Sequence, residues 1–87
     1  MKLTTSKGLT YNVDWADGPT ITSSGLLIQM QDSRSIAVIA AEFEGNETIR
    51  RESETEGNKE WHGYTEVMRV ARVAEGVVTI ALAKPVQ

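Results

Sequence analysis

The chain's single histidine, His62, lies in the stretch "EGNKEWHGYTE" (residues 56–66), between Trp61 and Tyr64. An imidazole can act as a base or a metal ligand near neutral pH. Glu60 shares its parity two residues away and Glu66 lies four away, so a carboxylate is within reach along the chain. A divalent site wants three or four ligands in a suitable geometry, and there is no second histidine and no cysteine to supply them. The serines fall in loops or caps, no G-x-S-x-G elbow occurs, and a triad would have to pair His62 with a distant acid. No lysine follows a glycine loop, and Gly18 and Gly25 are too far apart for a dinucleotide fingerprint. The expectation is a partly exposed strand residue at His62, with no catalytic residue, cofactor or metal. An enzyme working through His62 would lose its activity on His62→Ala.

Charge sharpens the exclusions. The net charge is −3, which argues against a binder of nucleic-acid phosphates, and eight of the twelve acidic residues fall between Glu42 and Glu66. Only Arg50, Arg51 and Lys59 are basic in that window, so the region reads as a solvated charged hairpin, with a patch for a basic partner as the sharper alternative. No apolar run approaches the roughly 20 residues of a membrane span, and "MKLTTSKG" lacks the apolar core of a signal peptide. The expectation is an unsecreted chain outside the membrane. Asn46-Glu47-Thr48 fits a glycosylation sequon, which without secretion is an accident of composition.

The elements that position these residues follow from periodicity. With 87 residues there is room for one domain with a small core. Leu9, Tyr11, Val13 and Trp15 share one parity, and Ser6-Lys7-Gly8 can fold residues 2–5 back on 9–15 as a hairpin. "ADGPTITSSG" reads as a loop, and "GLLIQMQD" as a strand with Leu26, Ile28 and Met30 inward. Ile36, Ile39, Ala40 and Phe43 form a helical stripe, predicting a helix over about residues 34–43, started by Asp32, Ser33 or Ser35 and stopped at Gly45. "NETIRRESETEGNKEWHGYTE" predicts two charged strands about a turn, with Gly63 marking a bulge or the close approach of another backbone. "YTEVMRVARVAEG" fits a long strand with a bulge near residue 67, although Val67, Val70, Ala71 and Ala74 would also make a helical stripe. "GVVTIALAKP" closes the set, with Gly76 turning the chain into it. The fold class is α+β: a small antiparallel sheet or open barrel of about six strands with one short helix.

Trp15 and Trp61 sit beside polar residues at strand ends, where aromatic side chains serve as core lids or as binding anchors. Taken together, "KGLTYNVDW", "GLLIQMQDSRSIAVIAAEFEG", "ETIRRESE", "WHGYTEVMRV" and "GVVTIALAKP" resemble small proteins encoded in the structural gene clusters, among head-tail and tail genes, of phages and prophages of Gram-positive bacteria. The likeness runs over nearly the whole chain through an Asp-x-Arg step into the helix, Phe-Glu-Gly and Gly-Tyr-Thr. Ser35 stands where such proteins often open the helix with proline. The resemblance implies a non-enzymatic virion or assembly protein, in the particle or in the bacterial cytoplasm, working as one copy among several in a ring or docked on a larger tail protein. Exposed strand edges supply an independent motive for partners. Trp15, Trp61 and Tyr64 are the expected interface residues, with Arg50 and Arg51 as charged contacts. The rival is a host-cell ligand- or peptide-binding module with a pocket lined by Tyr11, Trp15 and Phe43.

Overall fold

The computed structural model describes residues 2–13, 20–22, 25–52, 57–64 and 66–83. In chain order the elements are β1 (Lys2–Thr5), β2 (Thr10–Asn12), β3 (Thr20–Thr22), β4 (Gly25–Gln31), α1 (Ile36–Phe43), β5 (Thr48–Glu52), β6 (Lys59–His62), β7 (Glu66–Ala74) and β8 (Val77–Ala83). They form two four-stranded antiparallel sheets, ordered β2-β1-β5-β6 and β3-β4-β8-β7, which meet where Val13 bridges Met30. The class is α+β, mostly antiparallel, as the alternation predicts.

The strand count of about six is too low among the described residues, and the loop assigned to "ADGPTITSSG" contains β3. Thr20, Ile21 and Thr22 are all exposed, so this strand buries no side chain and leaves no alternating apolar signal to read. It is held instead by its pairing with Leu27, Leu26 and Gly25 of β4.

The first hairpin closes as its turn residues require. Gly8 takes a φ of 84°, its amide donates to Thr5 O at 2.9 Å, and the Thr5 amide donates to Leu9 O at 2.9 Å. Leu26, Ile28 and Met30 on β4, and Val78, Ile80 and Leu82 on β8, alternate inward and are buried. Ser35 caps α1, its Oγ accepting from the Val38 amide at 3.4 Å, and the Glu44 amide closes the last turn on Ala40 O at 3.0 Å before Gly45 turns left-handed at φ 76°. Only Ile39 and Phe43 of the helical stripe are fully buried; Ile36 is exposed and Ala40 half-buried, so the apolar face is narrower than its spacing suggested. Phe43 stacks on Tyr11 with ring centroids 4.7 Å apart, fixing the helix to the first hairpin.

Residues 66–74 are a strand, and the helical alternative for this stretch is overturned. The bulge expected near residue 67 falls between Val67 and Arg69, and a second falls between Arg72 and Ala74.

Candidate functional site

Three places gather polar or exposed apolar groups: the step from β4 into α1, the edge strand β6, and the bulged strand β7. The first is built on Asp32-Ser33-Arg34. The Asp32 amide donates to Gly76 O at 2.8 Å, tying this step to the β7–β8 turn. The Asp32 carboxylate accepts from the Arg34 amide at 2.9 Å and from the Arg34 guanidinium at 2.7 Å, and Arg34 also donates to both oxygens of Glu42 on the helix. From β7, Arg72 reaches across to Asp32 O at 2.7 Å and Arg34 O at 2.5 Å. The hydrogen bond from Arg34 holds the Asp32 carboxyl below the usual carboxylate range against the opposing effect of burial. The same pairs push the Arg34 guanidinium further from deprotonation.

Beside this cluster, Leu9, Thr10, Tyr11, Asn12, Gln31, Asp32, Arg34 and Glu42 line an open cleft of about 390 Å³. Tyr11 is 8 % exposed, and its hydroxyl makes no well-formed hydrogen bond among the described residues. Burial first, and then the Glu42 charge, push the Tyr11 hydroxyl up to about 12, with Arg34 pulling the other way. The expected pocket of Tyr11, Trp15 and Phe43 is altered: Tyr11 reaches the cleft, Phe43 is fully buried behind it, and Trp15 lies outside the described residues.

His62 stands on the outer face of β6, with Nε2 3.3 Å from Glu60 Oε2 and both side chains solvated. Glu66 begins the next strand. Among the described residues no group of three or more His, Asp or Glu side chains converges to hold a metal ion.

The expected interface residues are dispersed. Trp61 is 7 % exposed and packs in the core, Tyr64 is half-buried against that core, and Arg51 is 2 % exposed. Arg50 lies half-buried on β5 and pairs with Glu52 at 2.7 Å. What the sequence reading missed is on β7. The two residues skipped by the β7–β8 register are Met68 and Val73, and these are 55 % and 57 % exposed. Each bulge turns an apolar side chain to solvent.

Asn46 was also missed. It is 3 % exposed, its Nδ2 donates to Glu42 O at 3.1 Å and Phe43 O at 2.6 Å, and its Oδ1 accepts from the Lys7 amide at 3.3 Å. The asparagine of the apparent sequon is therefore a buried bracket between the helix end and the first hairpin. No family model, curated protein or solved structure matches the chain.

Proposed function

We propose that this chain is a non-enzymatic structural or assembly protein of a phage particle, of the head-tail or tail kind, acting through protein–protein contacts along β7. The observation that carries the contact reading is the coincidence of both β7 bulges with exposed apolar side chains, Met68 and Val73. Bulges re-aim side chains, and a large apolar group held in water is stabilised when a partner covers it. Behind them the strand is anchored: Arg72 grips the carbonyls of Asp32 and Arg34, and Glu44 accepts from the Val67 amide at 3.1 Å. A partner would thus meet side chains on a preorganised support, which lowers the ordering cost of binding. Support for the particle itself is the resemblance of the motif-bearing segments.

The test is co-expression with the products of the neighbouring genes, which this reading expects to be head-tail and tail proteins. At least one should co-purify with the wild-type chain, and Met68→Asp/Val73→Asp should release it while leaving the circular dichroism spectrum intact. Failure of every neighbour to co-purify would remove the proposal.

A second reading, a small-ligand or peptide-binding module, is favoured by the buried Tyr11 hydroxyl beside the cleft, which makes no well-formed hydrogen bond among the described residues. It expects Tyr11→Phe to weaken binding of whatever occupies the cleft, with Met68 and Val73 indifferent.

A further inference from the structure

The sheets offer edges at β2, β6, β3 and β7, and these differ in what covers them. Val13, at the end of β2, bridges Met30 of β4, the same strand that β3 pairs along residues 25–27. On β7, the Val67 amide is capped by Glu44 and two bulges interrupt the ladder. At β6, no described residue pairs with the side away from β5. Uncovered edges of this kind accept another strand.

The polarity of that edge can be worked out. The Gly63 amide donates toward β5, to Glu47 O at 3.1 Å. Its trans peptide therefore aims the His62 carbonyl away from β5, and in an extended strand the His62 amide points the same way, as do both backbone groups of Glu60. Glu60 and His62 are thus the residues whose backbone faces outward. Their side chains also share the solvent face, while Trp61 between them faces the core.

From this we infer that β6 pairs with β6 of a second copy of the chain, antiparallel and centred on Trp61. A two-fold axis normal to the sheet keeps core faces together, and the outward backbone groups of one copy must meet those of the other. Neighbouring registers that satisfy this set Glu60 against Glu60 or His62 against His62, like against like. The register that sets Trp61 against Trp61 puts Glu60 opposite His62 twice, carboxylate against imidazole. The imidazole offers a donor in either protonation state. Two such pairs exchange about four backbone hydrogen bonds. The opposed Trp61 rings occupy a closely spaced pair, the position in which aromatic residues interact best across strands. The contact is short, so association is weak, reversible and concentration-dependent.

The inference extends the contact reading to self-association, and its test is independent of any foreign partner. Sedimentation equilibrium of the wild-type chain up to millimolar concentration should show a monomer–dimer equilibrium. His62→Pro removes an outward amide that β5 does not use, so the fold should persist by circular dichroism while the dimer is lost. His62→Lys should preserve the dimer. His62→Glu, which sets two like-charge pairs in place of two favourable ones, should weaken it about tenfold. A wild-type chain that stays monomeric at millimolar concentration overturns the inference, and so does a dimer equally tight in His62→Pro and His62→Glu. Co-purification with neighbouring gene products would survive either result.

Discussion

Replacing Asn46 with alanine should cost far more than a surface position would, although the sequence marks it only as part of a sequon. The side chain is almost wholly buried and makes three hydrogen bonds, two to the last carbonyls of α1 and one from the β1–β2 turn. Each buried hydrogen bond contributes about 1 kcal/mol net, and an acceptor left without a partner costs about 1–3 kcal/mol. The Lys7 bond, at 3.3 Å, is the weakest of the three, so the expected loss is about 2–4 kcal/mol. For a domain of this size a loss of 3 kcal/mol lowers Tm by roughly 12–24 °C. The assay is reversible urea unfolding followed in parallel by far-ultraviolet circular dichroism and tryptophan fluorescence, with Asn46→Asp as a companion. Aspartate keeps the acceptor for Lys7 but aims a carboxylate at two carbonyls, so it should be at least as damaging. If Asn46→Ala unfolds within about 0.5 kcal/mol of wild type, the range of an ordinary surface change, the bracket between helix and hairpin is refuted.

Gly25→Ala should destabilise by more than about 3 kcal/mol or prevent folding, because φ is 137° and an added Cβ would lie 2.0 Å from Leu82 O in the paired backbone of β8; equilibrium unfolding checks it. Phe43→Ala removes a fully buried ring stacked on Tyr11 and should cost about 3–5 kcal/mol by the same measurement. Tyr11 has its hydroxyl raised to about 12 from 10.0, so its neutral form is favoured in the folded state. That stability is fully present below pH 10 and is lost as pH rises from about 10 to 12, up to about 3 kcal/mol. Unfolding across that range should show the loss in wild type and a smaller one in Tyr11→Phe.

Period-two alternation made β2, β4 and β8 readable, because every second side chain in them is a large apolar one that points inward, and the Ser6-Lys7-Gly8 turn placed β1 beside β2. The helix was readable from Ile39 and Phe43 with a serine before and a glycine after, although Ile36 joined the stripe by spacing alone. β3 was not readable, since Thr20–Thr22 buries nothing and is held by backbone pairing with β4. The site was less legible than the fold. The placing of Arg72 over the carbonyls of Asp32 and Arg34 depends on residues 38 and 40 positions apart in the chain. The first bulge was legible near residue 67, but alternation set Met68 on the same parity as Val70 and gave no sign of its exposure. Val73 showed nothing, because a second register shift within one strand leaves no distinct pattern in "RVARVAEG". Trp61 was legible as an aromatic at a strand end, a position that suits a core lid as well as an anchor; its burial comes from the pairing of β6 with β5 across Ile49.

The most direct measurement is an amide-resolved NMR titration of the isotope-labelled chain with a co-purifying head-tail or tail protein. Contact through β7 should broaden or shift the resonances of residues 66–74, strongest around Met68 and Val73, and leave Asn12, Gln31 and Glu42 unmoved. Shifts confined to the cleft around Tyr11, Arg34 and Glu42, with β7 unchanged, would contradict it.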